Sequence, residues 1–224
     1  MELNRLENQR SNKVTGTIFI LLVLLSIMSI GIMLQQFYSK GTIVGDQLIL
    51  ELFGNGTNAF VVGLFTLLTE LGSKWGIGGL FIVSLIFIWW KYKDYLAMIL
   101  VTVCVLGSNE LNKWLKEEVG RERPLIDESI YAEGFSFPSG HAMVGITFYG
   151  FITFYFISKM VNKKIKYTLA VGMAIFIFLI GFSRIILNAH YPSDVFGGFA
   201  IGFLYLSICI LIYNIVRKRK TTGS

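Results

Sequence analysis

Six times along the chain, apolar residues run long enough to approach a bilayer crossing: roughly 15–37, 75–91, 95–115, 140–158, 167–187 and 195–216. A helix needs about 20 such residues to span about 30 Å of hydrocarbon. Several uncharged cores fall slightly short of that, so the polar residues at their ends must lie at membrane depth or just above it. The first run exceeds a signal-peptide core and no A-x-A-like site follows, which predicts a retained helix. Between the first two runs the pattern breaks. Leu52-Phe53-Gly54-Asn55-Gly56-Thr57-Asn58 is interrupted by glycine and asparagine, and Ala59 to Thr69 is apolar but short. We read 43–72 as one or two short helices at the membrane interface. Asn55-Gly56-Thr57 matches a glycosylation sequon, a pattern with no supporting context. The expected fold is all-α: a polytopic bundle of six transmembrane helices plus short interfacial helices at about 43–72, with 1–224 forming one domain.

Composition agrees and removes the other classes. Of 224 residues, 54% are hydrophobic and 15% charged, with a mean hydropathy of +0.64. Disorder needs low hydrophobicity, and a soluble domain needs more charge on its surface. Basic residues then set the orientation. Arg5, Arg10 and Lys13, Lys91 and Lys93, Lys159, Lys163, Lys164 and Lys166, and Arg217 to Lys220 all fall on one side of a six-span bundle. The positive-inside bias makes that side, and both termini, cytoplasmic in a plasma membrane. The same placement explains the net charge of +6 without a nucleic-acid partner. Trp75 and Trp114 fall at outer boundaries and Trp89 and Trp90 at an inner one, as in an aromatic belt. Cys104 and Cys209 sit in apolar runs and read as lipid-facing or core packing.

The ionisable residues of the outer side carry the chemistry. Both histidines, His141 and His190, are there, with Lys113, Lys116, Arg121, Arg123, Arg184 and Asp194. Charges at membrane ends are costly unless paired or used. Gly120 and Pro124 should end the third helix and turn the chain, so that Lys116 and Arg123 approach each other. Two cations so placed suit phosphate oxygens; an ordinary basic cluster balanced by Glu117, Glu118 and Glu122 is the plainer reading, and Arg121 is left with it. In Phe137-Pro138-Ser139-Gly140-His141, Ser139 reads as an N-cap and Gly140 permits close backbone approach. The helix start behind them is a ready anion site. After Ser183-Arg184, the spacing of His190 and Asp194 lets them stack at a helix start, with Asp194 accepting from one ring nitrogen and freeing the other. Each piece alone has an innocent explanation. Their convergence on one membrane face points to an active site.

Lys116-x6-Arg123-Pro124, Pro138-Ser139-Gly140-His141 and Ser183-Arg184-x5-His190-x3-Asp194 together resemble the three-part signature of the type 2 phosphatidic acid phosphatases, the PAP2 or lipid phosphate phosphatase superfamily, which vanadium haloperoxidases share. The motifs occupy 116–124, 138–141 and 183–194, and no motif position departs from the pattern. The resemblance implies that His190 attacks phosphorus, that Asp194 orients it, and that His141 protonates the leaving alkoxide and later activates water. It implies that Lys116, Arg123 and Arg184 bind phosphoryl oxygens, with Ser139 and the Gly140 amide completing the cradle, and that no metal or other cofactor takes part. Substrates of the resembling proteins include phosphatidylglycerol phosphate, undecaprenyl diphosphate and phosphatidic acid.

Other readings compete. Two histidines and a carboxylate form a possible metal site, although three nearby cations would repel a dication. A serine hydrolase would use Ser139, but the G-x-S-x-G elbow is missing. A non-enzymatic phospholipid binder or transporter would keep the fold without the chemistry. Oligomeric state and the choice of lipid are not legible in the residues.

Overall fold

The computed structural model describes residues 2–41, 43–54, 58–124 and 134–222; the sequon lies outside them. Nine α-helices occupy the described residues: α1 (Glu2–Lys40), α2 (Asp46–Gly54), α3 (Ala59–Glu70), α4 (Lys74–Tyr92), α5 (Tyr95–Thr102), α6 (Ser108–Val119), α7 (Gly140–Lys159), α8 (Lys163–Ile186) and α9 (Pro192–Thr222). A π-helical turn, Val103–Gly107, joins α5 to α6 into one continuous rod. Six stretches are long and apolar enough to cross a membrane: Gly16–Ser39, Lys74–Tyr92, Tyr95–Val119, Gly140–Lys159, Lys163–Ile186 and Pro192–Arg219. The protein is a multi-pass membrane helix bundle. The expected spans hold, with ends a few residues longer than the apolar runs.

Local chemistry sets the helix ends. Lys93 takes a left-handed conformation that stops α4, and Asp94 caps α5 by accepting from the Ala97 amide at 3.1 Å. Gly120, at φ 61°, stops α6, a backbone value that glycine reaches without steric cost. Asn162 caps α8 through the Ile165 amide at 3.3 Å. Pro192 starts α9, where a missing N–H costs nothing. Short turns at 93–94 and 160–162 lie at one end of the bundle. Residues 120–124, 134–139 and 187–191 lie at the other, with the three motifs.

The central helix is α7, which packs most closely on α9. Glycines make that possible. A Cβ at Gly198 would lie 2.7 Å from the Ser139 carbonyl oxygen, and one at Gly202 2.6 Å from that of Met143. This Gly-x3-Gly stripe brings two backbones together as membrane helices commonly do. It also fixes Asp194, one turn above Gly198, beside Ser139, whose amide donates to the Asp194 carbonyl at 2.9 Å. Phe151, Tyr155 and Tyr213 fill the core below. Cys104 and Cys209 meet within it as free thiols.

Helices α2 and α3 pack against α8, and α2 also touches α9. Ile49 and Leu50 of α2 rest on Ala142, Ile185 and Val195, and Phe53 and Phe65 both meet the ring of Phe182. One or two short helices are expected within 43–72 and two are present; they reach the motif end at both extremities, where Asp46 starts α2 and Thr69 lies in the last turn of α3.

Candidate active site

Each motif side chain is delivered by a helix end or its adjoining loop. Lys116, in the last turn of α6, donates to the Phe135 carbonyl. Beyond Gly120 the chain turns, and Arg123 spans two loops, donating from Nε to the Gly134 carbonyl at 2.8 Å and from Nη1 to the Ala189 carbonyl at 2.8 Å. The same Nη1 lies 3.1 Å from Nε2 of His190. A guanidinium only donates, so Nε2 carries the lone pair and the ring proton sits on Nδ1. Burial, with Arg123 and Lys116 nearby, pushes His190 down to about 3 against the pull of Asp194. Its imidazole is therefore neutral throughout the physiological range, as a nucleophile must be.

On the other side of that ring the structure departs from the sequence expectation. His190 Nδ1 and Asp194 Oδ2 are 3.6 Å apart, beyond a hydrogen bond. The Ser136 hydroxyl stands between them, 3.3 Å from Nδ1 and 2.5 Å from Oδ2. The reason is local. Helix α9 starts only at Pro192, so His190 precedes it and the helical stacking of positions four apart does not apply. Asp194 instead closes a capping-box turn, accepting from the Tyr191 amide at 2.9 Å.

Ser139 occupies the N-cap position of α7, yet its hydroxyl caps nothing. Its Oγ and the Nε of Arg184 are buried with no hydrogen-bond partner among the described residues. Buried polar groups are nearly always satisfied, so two such atoms beside the first amides of α7 mark an anion-accepting corner. Gly140 is held close to α6: a Cβ there would lie 3.2 Å from Asn112 Oδ1, while Asn112 Nδ2 donates to the Pro138 carbonyl at 3.0 Å. Arg184 donates from Nη1 to Thr69 Oγ1 at 3.0 Å, and the His141 ring hydrogen-bonds the Thr69 backbone. An apolar cavity of about 310 Å³ opens from Gly140 and His141, running between α4, the π turn and α7 past Ile77, Phe81, Val105 and Val144.

All eight motif residues therefore meet at one end of the bundle. Five partners escaped the sequence reading: Thr69, Asn112, Ser136, Asp46 and Arg121. Arg121 is a correction. Far from being a solvated member of a basic cluster, it is only 6% exposed and pairs with both Asp46 and Asp194. Lys113 does behave as an ordinary surface charge, paired with Glu110 at 2.7 Å. Among the described residues no group of three histidine, cysteine or acidic side chains is arranged to hold a metal ion.

The sequence pattern of the PAP2 superfamily matches residues 91–219. The chain belongs to the PAP2 superfamily. Within it, the chain is 38% identical over 125 residues to phosphatidylglycerophosphatase B of Bacillus subtilis (strain 168), a match that covers 53% of this chain and 57% of that relative. The chain thus spans little more than half the length of that relative. In architecture it resembles the crystal structure of a transmembrane PAP2-type phosphatidylglycerolphosphate phosphatase from Bacillus subtilis, with a TM-score of 0.79 at 24% identity over 87% of this chain and 96% of the other. The crystal structure of Aquifex aeolicus LpxE is a more distant match, with a TM-score of 0.58 at 25% identity over 75% of this chain and 96% of its own.

Proposed function

We propose that this protein is an integral membrane lipid phosphatase that hydrolyses a phosphomonoester or diphosphate of a lipid through a phosphohistidine intermediate. The observation that carries the reading is the pairing of a neutral His190, lone pair on Nε2, with two buried unpartnered donors, Ser139 Oγ and Arg184 Nε. A phosphoryl group seated there meets a nucleophile on one side and donors on the other. Most catalysis of phosphoryl transfer is such positioning and charge stabilisation.

His190 Nε2 attacks phosphorus, and the bond from phosphorus to the lipid oxygen breaks. Arg123 gives up its contact with Nε2 and turns to the phosphoryl oxygens beside Lys116 and Arg184. His141 donates a proton to the leaving alkoxide. In the second step His141 takes a proton from water, the resulting hydroxide attacks the phosphohistidine, and phosphate and a neutral His190 are regenerated. Ser136 and Asp194 hold the Nδ1 proton throughout. The reaction uses no metal.

The apolar cavity beside His141 lies where the leaving group must be protonated, which suits a lipid whose tail runs between helices. Phosphatidylglycerol phosphate is the first candidate, because that is what the named relatives act on; undecaprenyl diphosphate and phosphatidic acid follow. The basic loops at the opposite end favour cytoplasmic termini and a site at the outer face of a plasma membrane, with 1–224 acting as one domain.

The deciding experiment is a substrate panel with purified protein in detergent, with and without EDTA, for the wild type and His190→Ala. Wild-type release of phosphate from lipid phosphates, insensitive to EDTA, is expected. His190→Ala should lose turnover by about 10⁴-fold or more, in the range seen for removed nucleophiles, together with its acid-labile phosphoenzyme. Near-normal turnover in that variant would refute the mechanism, and loss with EDTA would restore the metal reading.

A further inference from the structure

Asp194 is gripped from behind by Arg121, a residue at one of the unspecified positions between Lys116 and Arg123 of the first motif. Arg121 donates from Nη1 to Asp194 Oδ1 at 2.6 Å and to Ser193 Oγ at 2.7 Å. From Nη2 it donates to Asp46 Oδ2 at 2.6 Å. Asp46, the first residue of α2, accepts in turn from the Ser193 amide at 2.9 Å and the Ser193 hydroxyl at 2.6 Å. The guanidinium lies 4.2 Å over the Tyr191 ring and 5.8 Å from that of Phe37 on α1. All three ionised groups are nearly or fully buried: Arg121 at 6%, Asp46 at 5% and Asp194 at 0% exposure.

The two oxygens of Asp194 consequently have separate duties. Oδ1 belongs to Arg121. Oδ2 takes the Ser136 hydroxyl and the Tyr191 amide and faces His190. A carboxylate held at one oxygen only can rotate about its terminal bond, and its broad torsional preference offers little resistance. Held at both, it cannot turn away from the imidazole.

We propose that Arg121 and Asp46 are positioning residues: Asp46 fixes Arg121, and Arg121 locks the Asp194 carboxylate so that the His190 ring keeps its attacking orientation. The inference rests on the reading of His190 as the nucleophile. It makes the start of α2, in the segment expected only to lie at the interface, part of the catalytic support. A mere staple for α2 is a poorer account, because α2 is already docked by Ile49 and Leu50 on Ala142, Ile185 and Val195, and because the charge is spent on the one carboxylate that faces the nucleophile.

The test is a kinetic cycle on full-length protein in detergent micelles, with phosphatidic acid as probe and inorganic phosphate as inhibitor. Arg121→Gln should lower kcat by about 10²-fold, the size of effect that loss of orientation produces. KM and the inhibition constant of phosphate should stay as in the wild type, since Lys116, Arg123 and Arg184 are untouched. Arg121→Lys should recover part of kcat. Asp46→Asn should lower kcat less, and the Arg121→Gln/Asp46→Asn double variant should be no slower than Arg121→Gln alone, since linked residues are not additive. Should Arg121→Gln fail to fold, the Asp46→Asn split between kcat and KM decides. A wild-type kcat in these variants, additive losses, or phosphate affinity falling in step with kcat would overturn the inference. Full activity in His190→Ala would remove the nucleophile assignment and this inference with it; an inactive His190→Ala beside a fully active Arg121→Gln would remove this inference alone.

Discussion

The two ends of the bundle treat their cations oppositely. At the end with the short turns, Lys91, Lys163 and Lys164 are exposed, and the partly sheltered Lys159 sits 3.6 Å from Asp94 and against the rings of Tyr92 and Tyr155. At the motif end, Arg121 and Arg184 are each 6% exposed and make hydrogen bonds to residues 73 and 115 positions away. A cation in water orients the chain in the membrane, and its exact position hardly matters. A buried cation must be matched atom by atom, because an uncompensated one costs several kcal/mol. Exposure, more than sequence, separates the charges expected to set topology from those proposed to do chemistry.

The sharpest way to break this contrast is to delete one cation from each end. Arg184→Ala should lower kcat/KM by about 10²–10³-fold, as removal of one oxyanion donor does, because it takes away the buried unpartnered Nε and frees Thr69. Lys164→Ala, exposed at the other end, should leave turnover unchanged. Equal losses in phosphate-release assays on the two variants would erase the distinction.

That contrast also explains what was legible in the chain. The six spans could be read because burial in lipid demands long apolar runs, and the eight motif residues because their spacing recurs at helix ends. Arg121 could not. It sits among Glu117, Glu118 and Glu122, which favours a solvated cluster, and its partners Asp46 and Asp194 lie far off in sequence. Ser136 was invisible for a related reason: its role depends on where α9 begins, and the expected stacking of His190 on Asp194 assumed a helix start two residues too early. Asn112 and Thr69 did leave a trace as polar residues within or beside apolar runs. So did Gly198-x3-Gly202, whose spacing was there to be seen.

A second comparison sharpens the fold side. Gly202→Val would place a Cβ 2.6 Å from the Met143 carbonyl oxygen and against Ile146. Backbone cannot retreat as a flexible side chain can, so the α7–α9 contact must open, at about 1–3 kcal/mol for overpacking. The displacement also separates Asp194 from Ser139, so activity should fall along with the melting temperature. Gly172→Ala on α8 meets nothing within 4 Å and should change neither. A Gly202→Val protein with wild-type melting and turnover would mean that the close approach does not position the third motif.

The mildest effect belongs to the end without the motifs, where one carboxylate does structural work. Asp94 caps α5, accepts from the Tyr213 hydroxyl at 2.9 Å and faces Lys159. Burial works to raise its pKa, but the Ala97 amide, Tyr213 and Lys159 outweigh it and hold the carboxyl below its usual value. A carboxyl depressed in the fold stabilises it above the unfolded value and loses that contribution as pH falls through the folded one. Asp94→Asn keeps a capping oxygen, so its cost should be below the about 1 kcal/mol of a lost cap. At pH 7 the variant should melt slightly lower than the wild type in detergent, with kcat unchanged. Below about pH 4, where free aspartate protonates, the gap in melting temperature should close. A gap that stays constant down to pH 3 would show that the charge on Asp94 contributes nothing and that the cap and the Tyr213 bond alone hold this end together.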